Sequence, residues 1–350
     1  MFFRKPGVFT FILTLLLIFS VIIANGYGVI YISPAQLFKI LGNSLGLNSN
    51  EGFTEQQYTV LMAIRMPRVF FGILIGSTLA VCGAALQALF RNPLADAGLI
   101  GISSGASLAA IVMITFSSII LADFRGFFSL YALNIVTFFG AFITSLIVYR
   151  ISQINGKIII STMLLAGIAI GALASAITGF VILYANDAQL RSITFWTLGS
   201  LGGATWLNLS VLLPFSILCM AGLSLFSKHL NAFSLGENNA FYLGLNVESL
   251  KLKVIILVAA GVGSGVAMAG IIGFVGLTVP HIVRLISGPD HKRLMISSAL
   301  LGASLLVIAD LICRTVIEPV EIPIGIVTAL IGGPFFLYLL LKDKRKNSLL

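Results

Sequence analysis

The sequence predicts an all-α polytopic membrane protein with about ten transmembrane helices, one of them broken at about residues 270–287, and with both termini in the cytoplasm. Hydrophobic residues make up 58% of the 350 residues, which is more apolar surface than a water-soluble fold buries. Charged residues are only 9%, compared with roughly 25% in an average soluble domain. The apolar residues form continuous runs instead of the apolar–polar alternation of barrel strands. These observations exclude a cytosolic enzyme, and also a disordered chain, which requires low hydrophobicity.

Nine uncharged stretches mark the membrane-spanning part of the chain, because a helix needs about 20 apolar residues to cross. They are Val8–Ala24, Val69–Phe90, Ala97–Ala122, Gly126–Tyr149, Ile158–Asn186, Ser192–Ser227, Val254–Val283, Leu294–Ala309 and Ile322–Leu341. The first stretch follows Arg4 and Lys5 and resembles a signal peptide, but many spans follow it, so we expect a retained first helix. The sixth is too long for one span, and its glycines predict a short surface helix before a span that starts at about Trp206.

The segment Leu252–Ser287 is also too long for one plain span. A helix of about 20 residues uses about 30 Å of membrane, and the remaining residues include three glycines between 270 and 276 and then Pro280. We predict an extended glycine-rich strand followed by a half-helix from about Leu277, with Pro280 in its first turn. Broken helices often mark transport pathways. The alternative is a tilted helix with a proline kink.

The positions of the basic residues support ten spans. If the segment Leu252–Ser287 crosses twice, 15 Lys and Arg residues lie inside and 6 lie outside, as the positive-inside rule requires. The net charge of +9 is therefore expected from cytoplasmic loops, and no nucleic acid partner is predicted. Cys82, Cys219 and Cys313 are far apart in sequence among apolar residues, so we expect them to pack in the core.

The acidic residues argue against two classes of membrane protein. Of the twelve Asp and Glu residues, only Asp310 falls within a span, near its outer end. Ion-coupled carriers and channels place ionisable groups at mid-membrane, and an intramembrane enzyme also needs such groups, so both classes are disfavoured. The sequence has no metal-ligand spacing and no G-x-x-x-x-G-K-[ST] motif. We expect no cofactor and no metal, and any ATP must be hydrolysed by another subunit.

Two predicted inner segments are unusual. Gln87–Asp96 joins two spans, and Leu235–Leu245 lies in a polar loop at about residues 228–253. The second mixes apolar and polar residues in the manner of a short amphipathic helix. Such a helix either lies on the membrane surface or docks on a cytoplasmic partner.

Six segments carry a resemblance to a known family. They are Arg65–Arg68, Gln87–Asp96, Leu99–Ala106, Phe195–Leu201, Gly273–Arg284 and Glu321–Thr328. They resemble the FecCD-type permeases for iron-siderophore, haem and vitamin B12, which are membrane subunits of type II ABC importers. The similarity runs from about Val8 to Leu341. It implies one permease domain over residues 1–350 in the bacterial cytoplasmic membrane, paired with a second permease subunit as a homodimer or a heterodimer. It also implies two cytoplasmic ATP-binding subunits and a periplasmic or lipid-anchored substrate-binding protein.

The resemblance also assigns roles to individual residues. Docking of the substrate-binding protein is expected at Arg65, Arg68 and Arg314, for which anchoring at the membrane interface is the alternative. Coupling to the ATPase is expected at Leu235, Gly236, Glu237, Ala240, Leu243 and Gly244. The gate or pathway is expected at Asn92, Leu94, Leu164, Ser103, Ser104, Pro280 and His281, although a structural hydrogen bond is an alternative role for His281. The implied function is ATP-driven uptake of a ferric siderophore, with haem or cobalamin as alternatives, and the chain itself catalyses no reaction.

Overall fold

The computed structural model describes residues 6–47, 52–121, 127–317 and 320–347, so Arg4 and Lys5 lie outside the described residues. The helices and strands are, in chain order, α1 (Pro6–Gly26), α2 (Pro34–Ser44), α3 (Glu55–Thr59), α4 (Met66–Leu89), α5 (Ile102–Thr115), α6 (Ser117–Ile120), α7 (Phe127–Ile151), β1 (Gln153–Ile154), β2 (Lys157–Ile158), α8 (Ile160–Ile182), α9 (Asp187–Leu198), α10 (Trp206–Leu225), α11 (Ser227–Ser234), α12 (Glu237–Tyr242), α13 (Val247–Ala269), α14 (Val275–Ser287), α15 (His291–Thr315) and α16 (Ile324–Asn347). A π-helical turn (Val60–Arg65) joins α3 to α4, and a 3-10 turn (Ala97–Ile100) precedes α5.

The predicted helical polytopic fold is confirmed. In the described ranges, seven helices are long and apolar enough to cross a membrane, and the shorter helices α5, α14 and α16 are also apolar. Together they make the predicted ten, and an even number of crossings agrees with two termini on one side. The long stretch Ser192–Ser227 divides into the end of α9 and a span that begins at Trp206, as predicted. The strands β1 and β2 form a small antiparallel hairpin between α7 and α8.

The helix of the second span is longer than the uncharged stretch Val69–Phe90. Thr54 caps α3 in a capping box with Gln57, and α3, the π-helical turn and α4 continue as one helical stretch, Glu55–Leu89. Arg65 and Arg68, which precede the uncharged stretch Val69–Phe90 in the sequence, therefore lie inside one continuous helical stretch. A helix accommodates such charges where other protein groups bind them, and both arginines have such partners.

The core is centred on α4, which packs against α10, α13, α14 and α15 and is buried along most of its length. Glycines permit these close approaches. A Cβ on Gly76 would overlap the backbone of Gly302 in α15, and a Cβ on Gly83 would overlap the carbonyl of Gly276 in α14. Cys82 of α4 and Cys219 of α10 are both buried, with their Sγ atoms 3.2 Å apart. Although distant in sequence, these two cysteines pack together between helices.

The predicted break in the span around residues 270–287 is confirmed. The helix α13 ends at Ala269, Gly270 has a φ of +72°, and Phe274 takes the left-handed conformation with a φ of +67° before α14 starts. The predicted start at Leu277 is two residues late, so Pro280 lies in the second turn of α14 and not in the first. Proline has no N–H to donate four residues back, and the carbonyl of Gly276 that it leaves free faces α4.

The backbone at the break is held by neighbouring loops. The N–H of Ser200 donates to the carbonyl of Ala269 at 2.8 Å, and the N–H of Ile324 donates to the carbonyl of Gly199 at 3.0 Å. The segment between α9 and α10 therefore lies between the end of α13 and the start of α16. Irregular backbone is tolerated at membrane depth where protein groups satisfy it.

Candidate functional site

The inner loop at about residues 228–253 folds into α11, α12 and the start of α13. The predicted amphipathic helix is present but short, since it spans Glu237–Tyr242 and not the whole of Leu235–Leu245. Gly236 and Gly244 flank it with φ angles of +114° and +81°. Ala240 is fully buried. The helix therefore turns a small residue towards the protein.

Large exposed side chains lie on α12 and next to both of its ends. They are Leu235, Phe241, Tyr242 and Leu243. Exposed apolar groups at one place on a surface are typical of an interaction site. Glu237, the first residue of the helix, is bound to the protein, because Lys251 of α13 donates to its Oε2 at 3.1 Å. The arrangement fixes α12 to the protein at one side and leaves an aromatic surface on the other.

Five of the seven residues expected at the gate or pathway lie on three adjoining pieces of chain, which are the turn at residues 92–94, α5 and α8. Asn92 and Leu94 form a local turn, in which Asn92 Oδ1 accepts from the N–H of Leu94 at 2.9 Å. Ser103 and Ser104 are half-buried in the first turn of α5, and Ser104 Oγ donates to the carbonyl of Gly101 at 3.1 Å. The structure gives Asn92 and Ser104 local hydrogen bonds within their own turns.

The helix α8 packs closely on the start of α5. A Cβ on Gly167 of α8 would overlap the carbonyl of Leu99, and a Cβ on Gly171 would lie 3.7 Å from Ser104 Oγ. Leu164, one turn before Gly167, is half-buried against the main core. The structure therefore brings Leu164 and Ser104 to the same pair of helices, α5 and α8.

Pro280 and His281 lie on α14, beyond the break. Pro280 is buried, and the ring of His281 meets the ring of Phe335 of α16 edge-on, with centroids 6.5 Å apart. Gln87 at the inner end of α4 donates through Nε2 to the carbonyl of Leu277 at 3.0 Å. These contacts fix α14 between α4 and α16.

Arg68, expected at the outer surface, is 8% exposed and lies in an ion-pair network. Its Nε donates to Asp310 Oδ1 of α15 at 2.9 Å, and its Nη1 donates to Glu321 Oε1 at 2.8 Å. Glu321 lies in the segment that leads into α16, and its side chain is 49% exposed. The hydrogen bonds from Arg68 hold the pKa of the Glu321 carboxyl below its usual value.

Arg65 and Arg314 bind the outer end of α1. Arg65, only 5% exposed, donates to the carbonyls of Asn25 at 2.7 Å and Ile30 at 2.6 Å. Arg314 donates to the carbonyls of Ala24 and Tyr27. The last carbonyls of a helix lack intrahelical partners and carry partial negative charge, so the two arginines stabilise that helix end.

The burial of Arg65 and Arg68 contradicts the alternative of interfacial anchoring by arginines that extend to the headgroups. Docking of a partner through these arginines stays a prediction. The sequence analysis missed Asp310 and Glu321 as partners of Arg68. Asp310 was the one acidic residue placed within a span, and that position is itself a signal for a buried ion pair. Within the described ranges, no group of three or more His, Cys, Asp and Glu side chains could hold a metal.

The family model described as the FecCD transport family matches residues 15–342. The chain belongs to this family. It is a permease subunit of a type II ABC importer and a multi-pass protein of the cytoplasmic membrane, with a role in transport and not in catalysis. The resemblance that the sequence motifs indicated is confirmed.

Several relatives cover most of the permease. The hemin transport system permease protein HmuU of Yersinia pestis is 41% identical over 85% of this chain and 88% of its own. The cobalamin import system permease protein BtuC of Halobacterium salinarum is 38% identical over 85% of this chain and 77% of its own. The Fe(3+)-citrate import system permease protein YfmE of Bacillus subtilis is 38% identical over 98% of both chains. The solved structure of a metal-chelate type ABC transporter, in an inward-facing conformation, covers 97% of this chain and 100% of that chain at 32% identity, with a TM-score of 0.83.

Proposed function

We propose that this permease moves a ferric siderophore across the cytoplasmic membrane. The observation that carries the proposal is the broken span α13–α14, which places non-helical backbone at residues 270–274 between two helices that both pack on the central helix α4. Non-helical backbone within a membrane is tolerated where it lines a cavity or is buried in protein. The first N–H groups of a helix also favour negative charge, so the start of α14 suits an anionic, oxygen-rich chelate.

The remaining parts of the proposed machine follow from the family. We propose that residues 1–350 act as one permease domain, which pairs with a second permease subunit and takes its energy from two cytoplasmic ATP-binding subunits. The helix α12 supplies the coupling surface, with Leu235, Gly236, Glu237, Ala240, Leu243 and Gly244. The gate and pathway consist of Asn92, Leu94, Leu164, Ser103, Ser104, Pro280 and His281.

On the outer side, a periplasmic or lipid-anchored substrate-binding protein docks at the arginine cluster. Arg65, Arg68 and Arg314 bring three positive charges together near the half-exposed carboxylate of Glu321. Arginine suits this task because its planar fork binds a carboxylate through two parallel hydrogen bonds. A carboxylate of the binding protein docks by replacing the half-exposed Glu321 as the partner of Arg68.

Haem and cobalamin are alternative substrates, and the names of two relatives favour them: the hemin permease and the cobalamin permease. The Fe(3+)-citrate relative favours a non-haem iron chelate. In each of these three substrates, a metal ion is bound by a large organic ligand or by an oxygen-rich acid. The family membership therefore supports a metal chelate, and the proposal of a siderophore is narrower than that class.

Uptake into proteoliposomes tests the proposal. The permease is reconstituted with its ATP-binding subunits, and the substrate-binding protein is added together with a ferric siderophore, hemin or cyanocobalamin. We expect ATP-dependent accumulation of the ferric siderophore in preference to the other two. Accumulation of hemin or cyanocobalamin in its place would contradict the siderophore and leave the importer class intact. Accumulation driven by an ion gradient without ATP would contradict the class.

A further inference from the structure

The inner end of α13 carries a buried lysine that binds oxygens from three elements. The side chain of Lys251 is 1% exposed. Its Nζ donates to Glu237 Oε2 of α12 at 3.1 Å, to Glu248 Oε1 of α13 at 3.1 Å, and to the carbonyl of Ile158 in β2 at 3.0 Å. An ammonium group has three protons to donate, so these three contacts use its whole capacity.

The strand residue in this cluster is held at both of its backbone groups. The N–H of Ile158 donates to Glu248 Oε2 at 2.8 Å, while its carbonyl accepts from Lys251. The helix α8 begins two residues later, at Ile160. Leu164, assigned to the gate, lies in the second turn of α8. The position of the inner end of α8 is therefore tied to the position of the Lys251 ammonium.

We propose that Lys251 is a positioning residue that passes a displacement of α12 to the inner ends of α8 and α13. The inference rests on the proposed docking of α12 on an ATP-binding subunit. The helix α13 runs from this cluster to Ala269, where the broken span starts. One ammonium group therefore joins the docking helix to the helix with the gate and to the helix that ends at the break.

The burial of the ammonium makes this link stiff. A buried ammonium that loses a charged hydrogen-bond partner is left with an incompletely paired charge, which costs free energy. The carboxylate of Glu237, at the start of α12, cannot move away from Lys251 without that penalty. A push on α12 therefore moves Lys251, Ile158 and Glu248 together.

A neighbouring lysine on the same helix provides a matched control. Lys253 lies two residues further along α13, is exposed, and has its Nζ 6.0 Å from the centre of the Phe226 ring. Both lysines contribute equally to the positive charge of the inner side. If only the positive charge of the inner side is important, Lys251→Met and Lys253→Met lower uptake per ATP equally. If the hydrogen bonds of the Lys251 ammonium are important, only Lys251→Met lowers it.

The test uses the complete importer in proteoliposomes, with the permease, its ATP-binding subunits and the binding protein. We expect Lys251→Met to keep its ATP-binding subunits and its ATPase rate, while the amount of chelate taken up per ATP hydrolysed falls about tenfold. Lys253→Met stays close to wild type, and Lys251→Arg recovers part of the loss. Spin labels at Asn238 of α12 and Ser161 of α8, both exposed, report the distance between the two helices. We expect this distance to stay constant between nucleotide states in the wild type and to change in Lys251→Met.

A second variant keeps the inference testable if Lys251→Met does not assemble. Glu237→Gln removes the charge at the α12 end of the link and leaves Lys251 bound to Glu248 and Ile158. It is expected to lower uptake per ATP hydrolysed in the same direction, and the amount of bound ATP-binding subunit is measured alongside. Normal uptake per ATP in Lys251→Met overturns the inference. If Lys251→Met does not assemble, normal uptake per ATP in Glu237→Gln overturns it. If the wild-type permease binds no ATP-binding subunit, the proposed function fails first, and the two failures are thereby distinguished.

Discussion

Arg68 and Glu321 form a two-point ion pair, with Nη1–Oε1 at 2.8 Å and Nη2–Oε2 at 3.0 Å, although 253 positions separate them in the sequence. The third nitrogen of the same guanidinium binds Asp310. The pair joins α4 to the segment that leads into α16, and Asp310 joins both to α15. One arginine therefore holds the outer ends of three elements together.

The two carboxylates of this network are predicted to differ in their effect on stability. Asp310 is buried and also lies 3.5 Å from Arg314 Nε, so Asp310→Asn leaves two buried arginines without a full counter-charge. We expect a loss of roughly 3 kcal/mol. Glu321 is half-exposed, and Glu321→Gln is expected to cost about 1 kcal/mol or less. Thermal unfolding in detergent measures both, with Asp187→Asn as the control at an exposed acid of α9. Equal losses for Asp310→Asn and Glu321→Gln would contradict the importance of burial.

The arginine cluster is predicted to guide the substrate-binding protein. We expect Arg68→Glu to slow the association of the binding protein and to weaken its salt dependence, because the summed charge of the cluster attracts the binding protein at a distance and acts mainly on the association rate. Surface plasmon resonance on the permease in nanodiscs measures both quantities. Arg191→Glu, at an exposed arginine of α9, is the control for an outer charge away from the cluster.

Arg68 also stabilises the permease, so a slower association needs a second observation before it indicates docking. Charge reversal of a carboxylate on the binding protein is expected to restore the rate with Arg68→Glu. An association rate and a salt slope equal to wild type in a folded Arg68→Glu permease would refute docking at this cluster and leave the arginine with its structural role.

The broken span was predictable because its signals are local. Three glycines and Pro280 within eleven residues break a helix wherever they occur in a span. The start of α14 was missed by two residues because Phe274, which is not a glycine, adopts a positive φ, and no residue type predicts that.

The long-range pairs were not predictable from one sequence. Arg68 and its two acids lie more than 240 positions apart, and Lys251 resembled any other basic residue of an inner loop. Their roles depend on which helices pack together, and that information is not contained in the local pattern around each residue. For the same reason, Arg65 was expected at the surface although it binds the end of α1.

The charge of Glu237 is predicted to be necessary for coupling. Glu237→Lys would place a second ammonium against the buried Lys251, so we expect the start of α12 to move away from α13. ATP hydrolysis should then continue with little uptake, because the docking surface no longer moves α8. Chelate-stimulated ATPase activity and uptake are measured on the same proteoliposomes. Asn238→Lys adds the same charge one residue away at an exposed position and serves as the control. Normal coupling in Glu237→Lys would contradict the role of α12.

The contact between α4 and α14 is predicted to tolerate no added methyl group. A Cβ on Gly83 would overlap the carbonyl of Gly276. The overlapped atoms belong to the helix backbone, which cannot rotate away as a side chain can. We expect Gly83→Ala to lower stability by about 1–3 kcal/mol through overpacking. Gly179→Ala in α8 is the control, since a Cβ there meets no atom within 4 Å. Thermal unfolding of the two variants in detergent is compared. A Gly83→Ala protein as stable as Gly179→Ala would mean that α14 can shift away from α4 at little cost.

The extended segment before α14 is predicted to face the transport pathway. Gly273 is the best position for a cysteine probe, because a Cβ there meets no atom within 4 Å, whereas a Cβ on Gly270 would overlap the carbonyl of Trp196. Gly273→Cys is expected to react with a water-soluble maleimide added from the outside in at least one nucleotide state. The native Cys82, Cys219 and Cys313 are buried, so the unsubstituted protein supplies the background. A cysteine that is protected in the nucleotide-free, ATP-bound and ADP-bound complexes would mean that residues 270–274 are enclosed by protein. The broken span would then be a packing feature, and the chelate would have to pass elsewhere.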